Sequence, residues 1–226
     1  MNSPDFRASL AAVTALDDPS RLALYEFVAG RDEPTSRDEA ASALGLTRST
    51  AAFQLDRLAD DGLLNVEFRR LTGKTGPGSG RPAKLYRRAD TEVTVSVPSR
   101  QYELAGDLMA EAIDESNNTG EQVAQALARI ARDRGRAMGA SAGDFVTALE
   151  QGGYEPREDP AGGLVMGNCP FHRLSENHRD TVCSLNFELV SGIAEGATGC
   201  ECSIRSEPGA GRCCVRAVTA AAVADP

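Results

Sequence analysis

The chain has no tryptophan, only two histidines, and no cysteine in its first 168 residues. Each absence excludes something. Apolar residues never run on for the ~20 positions a bilayer-spanning helix needs, so no membrane segment is expected. The start, Met1 to Val13, lacks a basic stretch followed by an apolar core. No secretory signal is therefore expected, and a cytoplasmic location is. With histidine confined to His172 and His178, no Ser/His/Asp set can be identified. The glycines at 73, 76, 78 and 80 sit in a basic hairpin rather than between a strand and a helix, so they do not read as a phosphate-binding loop. The chain is not expected to be an enzyme.

What the sequence does hold is cysteine at one end. Cys169, Cys183, Cys200, Cys202, Cys213 and Cys214 all lie in the last quarter. In a reducing compartment they read as metal ligands or redox groups before disulfides. Thiolates are the ligands of zinc and of iron–sulfur clusters.

Charge separates the two ends. The net charge is −9, which looks wrong for a nucleic-acid binder, but its distribution matters more. Residues 1–98 carry 13 basic and 14 acidic side chains, and residues 99–226 carry 11 and 19. Within 65–88 stand Arg69, Arg70, Lys74, Arg81, Lys84, Arg87 and Arg88 against Glu67 alone, a local +6. That is the electrostatic footprint a phosphate backbone requires.

The pattern around this patch is a winged helix-turn-helix. Helices are expected near 5–16 and 19–30, the second capped by Asp17 or Asp18 with Pro19 in its first turn. Thr35 or Ser36, followed three residues on by Asp38 or Glu39, marks a third helix. Gly45 ends it with a left-handed turn. Thr47 caps a fourth helix, with Ala51, Ala52, Leu55 and Leu58 at helical spacing up to Gly62. A short helix, a glycine turn and a second helix place the start of the second helix in the major groove. Arg48, Ser49, Thr50 and Gln54 are the candidates for base contact there. Strands at 63–68 and 84–87 then flank the basic loop 71–83, a wing suited to the minor groove or phosphates. Arg69, Arg70, Lys74, Arg81 and Lys84 are its candidate contacts.

Residues 90–98 alternate polar and β-branched residues and predict a short strand. Apolar stripes over 99–115 and 120–138 predict two helices. They are read as a linker and dimer interface, with ordinary core packing as the alternative. The tail predicts a helix near 143–151, strands near 154–157 and 162–166, helices near 170–178 and 181–195, and strands near 200–206 and 212–218.

The fold class expected is therefore α+β. A winged helix-turn-helix spans 1–98, a helical linker or dimerisation region 99–142, and a small cysteine-rich metal-binding sensor domain 143–226.

The cysteine spacings, Cys169-x13-Cys183 and Cys183-x29-Cys213, match neither zinc knuckles nor the compact ferredoxin run. Such spread ligands converge only if the domain folds around the metal. Winged-helix head, helical linker and Asn168-Cys169-Pro170-Phe171…Cys183…Cys213 resemble, over roughly 10–216, the SufR-type iron–sulfur regulators of the ArsR/DeoR-like winged-helix group. These repress cluster-assembly genes. The resemblance implies that Cys169, Cys183 and Cys213 (or its neighbour Cys214) hold an iron–sulfur cluster, 4Fe-4S favoured, that promotes operator binding. The spacings here are slightly longer than that family's. Neighbouring residues on a strand face opposite ways, so only one of Cys213 and Cys214 is expected at the site. His172, three residues after Cys169, is a candidate fourth ligand. Cys200, Cys202 and His178 are others, and Cys200 and Cys202 read equally well as buried apolar residues.

The function expected is a homodimeric regulator, with repression favoured, that binds a palindromic double-stranded operator and senses cluster status, redox or nitric oxide. The alternatives are a zinc regulator using the same Cys/His site, a sensor of a small organic effector, and a redox enzyme or cluster carrier fused to a DNA-binding head.

Overall fold

Helix starts in the N-terminal part of the chain are fixed by the polar side chains that precede them. After α1 (Pro4–Ala15), Asp18 caps α2 (Pro19–Ala29) by accepting the Arg21 N–H at 2.9 Å. The short strand β1 (Thr35–Ser36) runs straight into α3 (Arg37–Leu44). There Ser36 and Glu39 form a reciprocal capping box, each accepting the other's backbone N–H. Gly45, at φ 65°, ends α3 in the left-handed region that favours glycine. Thr47 then caps α4 (Arg48–Asp60) through the Thr50 N–H. Strands β2 (Leu64–Arg69) and β3 (Ala83–Arg88) complete an antiparallel sheet in the order β1-β3-β2. Leu24, Val28, Ala40, Ala51, Leu55, Leu58 and Tyr86 form the core between helices and sheet.

The computed structural model describes residues 4–70, 82–160, 162–207 and 213–219. The chain divides into two compact units, Met1–Val95 and Ser96–Pro226. Residues 91–96, expected within a strand, form none. Val93 and Val95 are half-buried and Thr94 is exposed, but Ser96 is half-buried and Val97 is exposed, so the alternation holds as burial only over 93–95. Alternation records which side chains face inward; a strand also needs a neighbour to pair with, and none is paired to this segment among the described residues.

The second unit contains α5 (Tyr102–Thr119), α6 (Val123–Ala142), α7 (Phe145–Gln151), β4 (Pro156–Glu158), β5 (Leu164–Met166), α8 (His172–Asn177), α9 (Arg179–Gly196), β6 (Cys202–Ser206) and β7 (Val215–Thr219). Its four strands form an antiparallel sheet in the order β4-β5-β7-β6. Helices α5 and α6, read from sequence as a linker or dimerisation region, share one core with the cysteine-bearing elements. Ala105, Leu108, Ala126, Leu127 and Ile130 pack in the same cluster as Leu185, Leu189 and Cys213.

Helices α6 and α9 meet backbone to backbone. A Cβ on Gly135 would lie 2.0 Å from the Leu189 carbonyl oxygen, and one on Gly192 would lie 2.0 Å from that of Arg132. Gly139 and Gly196 make similarly close approaches one turn further on. Arg132 and Arg136 bridge to Glu195 at 3.1 and 2.7 Å along the seam. This crossing fixes α9, and α9 carries Cys183. No described helix is long and apolar enough to cross a membrane.

Candidate nucleic-acid interface and thiol site

The first turn of α4 is organised around its cap. The Ser49 and Thr50 hydroxyls lie 3.0 and 2.8 Å from the Thr47 hydroxyl. Arg48 is exposed and ion-paired to Asp38 on α3 at 2.5 Å. Gln54 is half-buried, and its amide oxygen is enclosed with no hydrogen-bond partner. Phe53, absent from the sequence-derived candidates, is 69% exposed on the same helix. Its signal was its place off the buried stripe of Ala51, Leu55 and Leu58. An aromatic ring on such a helix can meet a thymine methyl.

The wing candidates differ among themselves. Arg69 is exposed, with Glu67 at 2.9 Å and Glu33 at 3.3 Å. Arg70 is exposed. Lys84 points inward to Asp56 of α4 at 2.5 Å, and the Tyr86 hydroxyl donates to the same oxygen at 2.6 Å. Lys84 therefore fastens the sheet to α4, and a phosphate would have to compete with Asp56 for it. Lys74 and Arg81 lie outside the described residues.

Four free thiols, from three separate segments, gather in the second unit. Cys169 stands in the turn after β5, Cys183 in α9, and Cys213 and Cys214 just before β7. Their thiols form a hydrogen-bonded chain: Cys169 to Cys213, Cys213 to Cys214, Cys214 to Cys183. Both neighbouring cysteines reach the site, against the expectation that only one would. The opposite-face rule applies to strand backbone, and β7 begins only at Val215.

The environment sets the four thiols apart. The hydrogen bond from Cys213, with a second from the Phe171 N–H, holds Cys169 below the ordinary thiol value. Burial pushes Cys183 up to about 12. Cys213 is pushed up to about 11, chiefly by its bond to Cys169. Cys214 is raised by its bond to Cys213 and by burial. Behind them, Asn186 lies one helical turn from Cys183 and is fully buried. Its Nδ2 donates to Cys213 Sγ at 3.1 Å, and its Oδ1 accepts the Tyr154 hydroxyl at 2.7 Å.

The other proposed ligands lie elsewhere. His172 is exposed on α8 with Nε2 3.6 Å from Glu176 Oε1, and His178 is also exposed. Neither is among the groups acting on the four thiols. An i, i+3 alignment of His172 with Cys169 needs one continuous helix, and α8 begins only at His172. Cys200 and Cys202, expected as further ligands or as buried apolar residues, are half-buried and disulfide-bonded to each other.

In kind, the donor set suits a thiophilic metal group: four sulfurs, half of them buried, with a buried amide at their back. In arrangement the thiols link one to the next rather than facing a common centre. Among the described residues no group of three or more Cys, His, Asp or Glu side chains surrounds a single point. Holding a metal group would require the thiol chain to open.

A family of helix-turn-helix domains matches residues 16–67, which run from the end of α1 into β2. No curated protein and no solved structure matches the chain. The helix-turn-helix domain points to DNA-binding transcription regulation.

Proposed function

We propose that this protein is a repressor whose grip on DNA is controlled by an iron–sulfur cluster in its second unit. The observation that carries the reading is the meeting of four free thiols from three separate segments in a chain that also has a helix-turn-helix domain. Cys169, Cys183, Cys213 and Cys214 would hold the cluster. Bound there, it would supply an iron centre sensitive to oxidants or nitric oxide.

The chain's own residues do the rest. The first turn of α4 offers Arg48, Ser49 and Thr50 to the major groove, with Phe53 beside them, while Arg69 and Arg70 take phosphates. Asn186, held by Tyr154, aims a donor at the Cys213 sulfur, as outer partners of metal ligands do. Leu10 and Val13 are exposed three residues apart on α1. A second copy would cover them, and a two-fold pair would match a palindromic operator. In this reading the occupied thiol site favours the DNA-competent arrangement of the two heads, and its loss shifts the population away.

The test is an anaerobic ultraviolet–visible spectrum with iron, sulfide and zinc assayed on one sample, followed by operator binding. Absorbance near ~400 nm with matching iron and sulfide, lost in Cys169→Ser together with operator affinity, supports the reading. Unchanged metal content and affinity in Cys169→Ser would sink it. A colourless protein with about one zinc per chain after reconstitution moves the same thiols to a zinc regulator.

A further inference from the structure

Residues 96–101 open the second unit, and the chain enters them directly from the helix-turn-helix unit, which ends at Val95. This connector is laced to the cysteine-bearing turn. Asn168 Nδ2 donates to the Ser99 carbonyl at 2.9 Å and to the Gly153 carbonyl at 2.6 Å. Arg100 Nη1 donates to Asn168 Oδ1 and, at 3.2 Å, to the carbonyl of Cys169 itself. The Gln101 N–H donates to the Pro170 carbonyl at 3.1 Å. Ser99 lies against Gly153, where a Cβ would come 2.8 Å from its hydroxyl. Helix α5 has no side-chain N-cap, so its entry is held from outside, by the turn 168–170.

We propose that Arg100 and Asn168 are positioning residues that couple the Cys169 turn to the segment leading into the DNA-binding unit. The inference rests on the reading of the thiol site as a regulatory element. Hydrogen bonds of this length fail within a fraction of an ångström of stretch. Asn168 is buried, so its bonds cannot be exchanged freely for water. When Cys169 gains or loses a bonded partner and its backbone moves, residues 99–101 must move with it or release it. Either response changes the start of α5 and the chain that leads to the head.

The test uses the full chain, reduced and metal-free, before and after N-ethylmaleimide labels Cys169, with the site verified by mass spectrometry. Amide hydrogen exchange is followed in the peptide covering 99–104. The expected result is about tenfold faster exchange there on labelling the wild type. Arg100→Gln should exchange fast before labelling and change less than about twofold on it, and Arg100→Lys should restore part of the response. An unresponsive wild-type peptide, or an Arg100→Gln that responds as wild type does, overturns the coupling.

Operator affinity of the wild type and Arg100→Gln, each measured with the thiol site reconstituted and then stripped of metal, separates the two readings. Exchange that responds while affinity does not leaves the coupling standing and removes the regulatory reading. Affinity that responds while exchange does not removes the coupling and leaves regulation to another route.

Discussion

Tyr154 and Asn186 are joined by a 2.7 Å hydrogen bond that lies fully inside the second unit. The same amide donates to Cys213 at 3.1 Å, so the tyrosine sets the orientation of a group that touches a thiol. Burial raises the Tyr154 hydroxyl well above its ordinary value, and the neighbouring thiols add to it. It is therefore a neutral donor at physiological pH. Tyr154→Phe should leave the Asn186 oxygen buried and unpaired, lowering unfolding stability by about 1–2 kcal/mol. Urea unfolding measures this. If the thiols hold a metal group as proposed, the variant should also lower metal affinity there by about tenfold or more, because the outer partner is no longer oriented. Wild-type stability and metal affinity in the variant would show that Asn186 is held without Tyr154.

The helix crossing makes an opposite pair of predictions for the same substitution. On helix propensity alone, Gly→Ala should stabilise a helix by up to about 1 kcal/mol. A Cβ added at Gly106, on α5, would meet nothing within 4 Å, so Gly106→Ala should show that gain. A Cβ at Gly135 would meet the Leu189 carbonyl oxygen at 2.0 Å and the Ile193 nitrogen at 2.9 Å. Backbone cannot rotate aside, so Gly135→Ala should force α6 from α9 and cost about 1–3 kcal/mol or more. Paired thermal melts decide it. Equal effects of the two substitutions would mean that the helices separate easily.

These contacts also mark where the sequence stopped being legible. Asp18, the Ser36–Glu39 box, Gly45 and Thr47 were readable because caps act within four residues of themselves. The helices of the second unit were readable from apolar spacing, which is equally local. Partners distant in the chain were not readable. The two-residue strand β1 exists only because β3 pairs with it, and 91–96 stayed irregular for want of such a partner. The arrival of both Cys213 and Cys214 at the site depends on β7 starting only after them, at Val215 rather than near 212. The Gly135–Gly192 seam, the Asn186 contact and the Arg100–Asn168 network each join residues far apart in sequence. Asn168 stands beside Cys169 in the sequence motif, but nothing local revealed that its side chain reaches Ser99.

Cys169 should react first among the four thiols. Cys213 donates to it and lowers its pKa, while Cys183 and Cys213 sit at about 12 and about 11. The thiolate is the nucleophile, so at neutral pH the metal-free chain should be alkylated at Cys169 well before the others. Cys213→Ala removes the donor and should slow Cys169 labelling. Timed iodoacetamide quenching with peptide mapping gives the order. Labelling of Cys183 ahead of Cys169 would show that access, rather than ionisation, controls the site.

In the first unit, Asp56 should make stability depend on acid pH. Burial alone would raise its carboxyl, but hydrogen bonds from Lys84 and Tyr86 outweigh it and hold the group below its ordinary value of 3.8. A carboxyl so depressed stabilises the folded unit at pH above the unfolded value, and that contribution is lost as pH falls through the lower folded value. The stabilisation is therefore complete at neutral pH and fades below about pH 4. Asp56→Asn should be less stable than wild type at neutral pH, and the two should converge in acid. Hydrogen exchange in peptides covering 83–88, followed from neutral pH down to about pH 3, isolates this unit from the other. Glu39 is also depressed, chiefly by the Ser36 backbone N–H. If Asp56→Asn kept the full acid dependence, the capping box would be its source, and Glu39→Gln should then remove it.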